Sequence, residues 1–148
     1  MSVTPTTVRR ILCSGTYAGL CMSTAIGLIG KMTIGTTAAP LNAISHIVWG
    51  HEAARANNWS MKYTGSGLIL NQLACLFWAG CYEALVDEKR PAGICKAAAV
   101  SAVAYLTDYH VVPRRFTPGF EFVFPRRIFP YLYAALAISL VAGVRMRR

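Results

Sequence analysis

The run from Ile11 to Gly30 constrains this chain most, because its twenty consecutive residues include no charged side chain. A helix that crosses the roughly 30 Å hydrocarbon core of a bilayer needs about 20 such residues. Three further apolar runs cover about 65–83, 92–108 and 128–144. Hydrocarbon cannot satisfy unpaired backbone groups, so only helices and closed barrels cross it. We therefore predict an all-α, polytopic membrane protein, a four-helix transmembrane bundle that forms one domain over residues 1–148.

The overall composition supports a membrane protein. Hydrophobic residues make up 55% of the chain and charged residues only 14%, whereas about 25% of a soluble domain is charged. A cleaved signal sequence is the alternative for the first run, but the hydrophobic region of a signal usually spans about 7 to 15 residues. We expect the first run to remain in the protein as a membrane span.

The basic residues flank the apolar runs, and the net charge is +9. That placement favours contacts with the anionic headgroups of a lipid bilayer. No basic stretch interleaved with aromatic residues occurs, so we expect no nucleic-acid partner. The headgroup contacts that we predict near the third connection are Arg114, Arg115, Arg126 and Arg127.

Four spans would put both termini on one side of the membrane. Eight basic residues then lie on the terminal side and seven on the other, so the preference of basic residues for the cytoplasm decides little. The arginines at both chain ends lead us to expect cytoplasmic termini. We expect the second connection, which begins with Glu83 and carries Asp87 and Glu88, to be a solvated boundary.

The first connection has a helical pattern of its own. Pro40 suits the first turn of a helix, and apolar residues recur at helical spacing as far as Val48. The segment holds too many polar groups for a span, so we predict an interfacial or re-entrant helix over about 40–57. Trp49 and Trp59 suit the level of the lipid headgroups.

Small residues recur four apart in the apolar runs, which places them on one helix face. In lipid, helices associate through close van der Waals contact, which small residues permit. A compact bundle follows, although the same faces could also form a homo-oligomer or join a larger membrane complex. The small-residue stripes are Gly15, Gly19, Ser23 and Gly27; Gly67, Asn71, Cys75 and Ala79; Ala97 with Ser101; and Ala135, Ser139 and Gly143.

The third connection concentrates polar and turn-forming residues between two apolar runs. Pro113 cannot continue a helix, and Thr117-Pro118-Gly119 is a turn signal. The Arg114-Arg115 pair could meet Asp108 or Glu121 across that turn, or lipid phosphate. We interpret the segment as a charged connection that caps the bundle at the membrane boundary.

Histidine and carboxylate side chains gather on one predicted side of the membrane. These types suit transition metals and proton relays, and the candidate metal ligands are His46, His51, Glu52, Asp108, His110 and Glu121. A site would require the first connection to fold onto the third. Asn71 and Gln72 lie inside the second run, where polar groups form hydrogen bonds between helices or contact a substrate. No hydrolase, nucleotide-binding or zinc-protease motif occurs.

Two parts of the chain carry a resemblance to known proteins. The motif Thr107-Asp108-Tyr109-His110 with the following Pro113-Arg114-Arg115 and Thr117-to-Glu121 segments resembles small uncharacterised bacterial inner-membrane proteins with about four predicted helices. The first connection, with His46-to-Gly50 and Glu52-to-Arg55, is similar to theirs as well. The resemblance implies a multi-pass protein of the bacterial inner (cytoplasmic) membrane, and it implies no activity, cofactor or catalytic residue.

Three functions are compatible with these features. The first is a non-enzymatic accessory or scaffold component of the membrane, which is the function we expect. The second is a small proton-coupled transporter that uses Asn71, Asp108 and His110. The third is a metal-binding or haem-binding membrane enzyme that uses the histidine and carboxylate cluster.

Overall fold

The computed structural model describes residues 5–86, 89 and 93–148. Over these residues the chain is all-helical and contains no strand. The α-helices are α1 (Pro5–Ile34), α2 (Ala38–Ile44), α3 (His46–Trp49), α4 (His51–Arg55), α5 (Ser66–Glu83), α6 (Ile94–Leu106) and α7 (Phe129–Met146). A π turn, Met61–Gly65, leads into α5, and a second, Thr107–Val111, follows α6. Three 3-10 turns, Arg114–Phe116, Phe120–Phe122 and Arg126–Ile128, form the third connection.

The long helices form a bundle in which α1 packs between α5 and α7, and α7 also packs against α6. Small residues make the close approaches possible. A Cβ added to Gly143 of α7 would overlap the backbone carbonyl of Ser14 in α1, and a Cβ added to Gly19 would overlap the side chain of Gln72 in α5. The stripe of α1 therefore faces α5, and that of α7 faces α1.

One end of the bundle is closed by ionic contacts among three segments. Glu83, in the last turn of α5, binds Arg147 just beyond α7 and Arg10 near the start of α1. Glu83 is only 6% exposed, so the expectation of a solvated boundary is wrong for this residue. Asp87 and Glu88 lie outside the described residues. Both ends of the described chain meet at this end of the bundle.

The other end is built by the first connection, which forms three short helices instead of one helix over 40–57. The breaks fall at Ser45 and at Gly50, whose φ of 71° suits glycine. Every residue of α2 is buried, so this part enters the bundle mouth and does not lie flat on a surface. Buried Asn42 holds the connection together, because its amide donates to the carbonyls of Ala56 and Asn58 at 2.8 and 3.0 Å.

The third connection folds onto α2 at this same end. Gly119 has φ 81°, and an added Cβ would overlap the carbonyl of Ala43. Phe120 and Phe124 on either side of the next turn are buried in the core. The first and third connections therefore form one cap over the mouth of the bundle.

Among the residues that the structure describes, two helical segments are long and apolar enough to cross a membrane, namely Pro5–Ile34 and the segment Arg126–Met146 that contains α7. A long core helix of a soluble protein can satisfy the same criterion. α5 carries Asn71 and Gln72 in its apolar stretch, and α6 has only thirteen residues. Length and composition thus support membrane association through α1 and α7.

Candidate functional site

Asp108 lies at the centre of the capped end, in the π turn that extends α6. The Tyr133 hydroxyl of α7 donates a hydrogen bond of 2.6 Å to the Asp108 carboxylate. The turn ends at Val112, which is extended (φ −77°, ψ 146°) because Pro113 disfavours helical backbone in the residue before it. Single π turns inside helices often occur at functional sites. This one carries Asp108 to the side of α7.

Aromatic rings surround this carboxylate. Tyr109 stacks on Phe129 with ring centroids 4.8 Å apart, and Tyr105 meets Tyr133 edge-on at 5.3 Å. His110 lies edge-on to Tyr105 at 5.8 Å. Such contacts fix ring orientation beyond simple area burial. The cluster gives the α6–α7 pair a rigid, partly polar end.

A groove of about 790 Å³ lies between α6, α7 and the third connection. Its volume falls in the range of small-molecule sites, roughly 300 to 1,000 Å³. Alanines form its trough along the helices: Ala98, Ala102, Ala134 and Ala137. Charged and polar side chains form its mouth: His110, Arg114, Glu121 and Arg126. The groove is therefore amphipathic along its length.

One hydroxyl group in the groove wall, that of Ser101, is buried without a hydrogen-bond partner, whereas the buried hydroxyl of Tyr109 interacts with the Glu121 carboxylate. Ser101 belongs to α6 and is 3% exposed. Buried polar groups in proteins nearly always have a partner, and an unpaired one costs about 1 to 3 kcal/mol. The Ser101 hydroxyl is therefore a hydrogen-bond donor without a described partner on the groove side of α6.

A second cavity of about 150 Å³ lies on the opposite side of Tyr133 and reaches towards α5. Asn71 and Asp108 both line it, whereas His110 lines the larger groove. The structure thus brings together two members of the proposed transport trio and separates the third. Tyr133 lines both spaces, whereas its hydrogen-bond partner Asp108 lines the smaller cavity and not the groove.

The side-chain amides of α5 bind α1. Asn71 donates to the Ser23 hydroxyl at 2.9 Å and to the Gly19 carbonyl at 3.4 Å, and Gln72 donates to the Gly15 carbonyl at 3.0 Å. Asn71 still lines the small cavity with part of its side chain. Both amides therefore serve first as links between helices.

The histidines of the first connection meet around one aromatic ring. The rings of His46 and His51 lie edge-on to Phe122, at 5.0 and 5.4 Å. His46 is 5% exposed, and its Nδ1 lies 2.9 Å from the Ala43 carbonyl. That hydrogen bond requires a proton on Nδ1 and leaves Nε2 as a buried acceptor with no described partner. The first connection does fold onto the third, and Phe122 fills the space between the two imidazoles.

The candidate metal ligands do not form a coordination site. Among residues 5–86, 89 and 93–148, no group of three or more histidine, cysteine, aspartate or glutamate residues could hold a metal ion. Glu52 accepts a hydrogen bond from the Tyr63 hydroxyl at 3.3 Å, and Glu121 accepts one from Thr117. Each carboxylate is thus engaged by its local connection.

The arginines of the third connection divide into two kinds. Arg114 and Arg126 line the groove mouth, while the neighbouring Arg115 and Arg127 do not line it. All four are exposed. None forms an ion pair with the described carboxylates, so of the alternatives for the Arg114-Arg115 pair the structure shows neither the contact to Asp108 nor that to Glu121. The Asp108 carboxylate is bonded to Tyr133 instead.

Sequence reasoning missed three residues of this site, Ser101 as a wall residue, Tyr109 and Tyr133. Tyr133 carried the clearest signal, because a tyrosine one turn inside an apolar helix needs a partner for its hydroxyl. Its partner could not be read from the sequence, since Asp108 is 25 residues away. Comparisons with protein-family models, curated proteins and solved structures find no match to this chain.

Proposed function

We propose that this chain is a multi-pass protein of the bacterial inner membrane in which α1, α5, α6 and α7 all cross the bilayer. It acts as a non-enzymatic accessory or scaffold component, alone, as a homo-oligomer or within a larger membrane complex. Its termini lie in the cytoplasm, where Arg10 and Arg147 would follow the preference of basic residues for that side.

The observation that carries this proposal is the outward face of the four long helices. Large apolar side chains point away from the bundle on each of them, while glycine, serine and amide groups point inward. Soluble monomers rarely expose apolar patches of more than a few hundred Å². The outward residues are Leu12, Leu20 and Leu28; Ile69, Leu73 and Phe77; Val103 and Leu106; and Tyr131 and Ile138.

Helix length is compatible with four spans when the π turns are included. α6 and the turn after it make eighteen consecutive helical residues, or about 27 Å. α5 and the turn before it make twenty-three, or about 34 Å. Trp49 and Trp59 are both exposed at the capped end, which supports a headgroup boundary there.

The use of polar groups inside the bundle supports a scaffold. The amides of Asn71 and Gln72 and the carboxylate of Glu83 all bind neighbouring helices. In lipid, polar contacts of this kind hold helices together. The strongest polar interactions of the spans therefore serve assembly.

Membrane fractionation and native electrophoresis test this proposal together. Membranes washed with alkaline carbonate should retain the chain, and mild detergent should release it in an assembly larger than one copy or together with partner proteins. Recovery in the supernatant without detergent would contradict the membrane proposal. A detergent-released species that is always one copy without partners would contradict the scaffold role.

A proton-coupled transporter is the second candidate, because Asn71 and Asp108 line one cavity within the bundle. Intramembrane carboxylates often mark proton or substrate paths. Reconstituted liposomes with a pH-sensitive dye inside would report proton flux that Asp108→Asn abolishes. Glu52→Gln, which changes an exposed carboxylate at the same end, is the matched control. Absence of flux above protein-free liposomes would rule this candidate out.

A further inference from the structure

We propose that the groove between α6 and α7 binds one anionic phospholipid, with an acyl chain along the alanine trough and the phosphate at Arg114 and Arg126. This inference rests on the membrane location proposed above. It assigns one specific lipid to one groove. Non-specific attraction between a basic surface and a bilayer would not predict such a site.

The shape of the groove fits a chain molecule better than a flat surface contact. Methyl groups line the trough on both helices. They belong to Ala98 and Ala102 on α6 and to Ala134 and Ala137 on α7. Larger outward residues stand nearby, such as Val103 on α6 and Ile138 on α7. The space of about 790 Å³ between them is apolar away from the mouth, which suits hydrocarbon.

The charge at the mouth selects an anionic headgroup. Two guanidinium groups and one carboxylate line it, from Arg114, Arg126 and Glu121. Glu121 already accepts a hydrogen bond from Thr117, whereas neither arginine has a described carboxylate partner. A guanidinium matches the geometry of a phosphate group through parallel hydrogen bonds. The mouth therefore carries an excess of positive charge that a lipid phosphate would neutralise.

Independent support comes from one unpartnered hydroxyl in the wall. Ser101 is a hydrogen-bond donor buried in the same groove. A glycerophospholipid offers ester and phosphate oxygens as acceptors close to its acyl chains. A lipid in the groove would thus satisfy the Ser101 hydroxyl, which has no partner in the described chain, as buried polar groups require.

Native mass spectrometry of the full chain in mild detergent tests the proposal. The probes are phosphatidylglycerol, phosphatidylcholine with the same acyl chains, and inorganic phosphate. We expect one phosphatidylglycerol per chain, bound about tenfold more tightly than phosphatidylcholine, since each basic contact near a membrane is worth roughly 1 kcal/mol. Equal affinity for the two lipids would overturn the proposal, as would inorganic phosphate displacing the lipid completely, which would identify a free-phosphate site.

Matched variants locate the binding. The double change Arg114→Gln with Arg126→Gln should weaken phosphatidylglycerol about tenfold. The same charge change at Arg115 and Arg127, outside the groove, should leave its affinity unchanged. Equal losses in the two variants would overturn the proposal, because they would show attraction to surface charge alone.

A second pair of variants tests the trough without changing charge. Ala102→Phe fills the groove, whereas Ala99→Phe adds the same ring at an exposed position of α6 that does not line it. We expect a several-fold loss of lipid affinity only for Ala102→Phe. If Ala102→Phe instead changes the number of copies per particle and leaves lipid binding intact, the groove is an interface between copies and the proposal is wrong. A chain that stays in carbonate-washed membranes but binds no lipid in the groove would defeat this inference and leave the proposed function standing.

Discussion

Arg147 donates two hydrogen bonds to the Glu83 carboxylate. Its Nε lies 2.6 Å from one carboxylate oxygen, and a terminal guanidinium nitrogen lies 2.7 Å from the other. The side chains are 7% and 3% exposed, respectively. Arg10 adds a third contact at 3.3 Å. One buried carboxylate therefore ties together the ends of α1, α5 and α7.

Removal of the charge at Glu83 should destabilise the bundle strongly. Glu83→Gln removes the buried carboxylate charge that Arg147 and Arg10 contact, and loss of one partner of a buried pair costs about 3 to 5 kcal/mol. We expect the free energy of unfolding in detergent, measured by denaturant titration, to fall by about 3 kcal/mol. Glu52→Gln, at an exposed carboxylate, is the control. A similarly small change in the free energy of unfolding of both variants would contradict a stabilising role for the buried Glu83–Arg147 ion pair.

Gly143 should tolerate no added methyl group. A Cβ there would overlap the backbone carbonyl of Ser14, whereas at Gly80 the nearest atoms would lie 3.7 Å away on the flexible side chain of Ile11. Overpacking of this kind costs about 1 to 3 kcal/mol. Gly143→Ala should therefore lower the thermal midpoint clearly, and Gly80→Ala should not. Equal midpoints would mean that α1 and α7 are not in close contact.

The hydrogen bond from Asn71 to Ser23 should appear as a coupling energy. Polar contacts between membrane helices average about 0.6 kcal/mol, with a maximum of about 1.7. A double-mutant cycle of Asn71→Ala and Ser23→Ala, followed by unfolding in detergent, should give a coupling in this range. Strict additivity would show that the two side chains do not interact.

The hydroxyl group of Tyr133 should contribute to the stability of the protein. Tyr133→Phe removes the 2.6 Å donor to Asp108, and hydrogen bonds to charged groups contribute about 1.5 to 3 kcal/mol. Tyr131→Phe is the matched control, because Tyr131 lies on the same helix and is 67% exposed. Unfolding in detergent should distinguish the two variants by at least about 1 kcal/mol. Indistinguishable stabilities of the two variants would show that the Asp108–Tyr133 hydrogen bond does not stabilise the protein.

Local patterns in the sequence predicted the helices and some of their contacts. The uncharged run from Ile11 to Gly30 lies wholly within α1, and each other apolar run coincides over most of its length with one helix, α5, α6 or α7. The four-residue spacing of Gly67, Asn71 and Cys75 placed Asn71 on a packing face, from which it bonds to α1. Such features depend on helical periodicity, which a sequence displays directly.

Contacts between distant segments could not be predicted in the same way. Glu83 and Arg147 are 64 residues apart, and their pairing depends on how α5 and α7 rotate and slide against α1. The Arg114-Arg115 pair suggested local ion pairs, but the exposed arginines of the cap remain apart from Asp108 and Glu121. The break at Gly50, where φ is 71°, was also missed, because an isolated glycine is tolerated within a helix and does not by itself end one.

The location of α5 and α6 tests the central claim most directly, since within the described part of the chain only the helical segments that contain α1 and α7 satisfy the length and hydropathy of a span. In a background with all five cysteines replaced, Phe77→Cys, Val103→Cys and Arg115→Cys would each carry a nitroxide spin label in liposomes. Electron paramagnetic resonance should then find the labels on α5 and α6 accessible to oxygen and shielded from a water-soluble nickel chelate, with the reverse at position 115. Equal access of the nickel chelate to all three positions would contradict a four-span bundle in lipid.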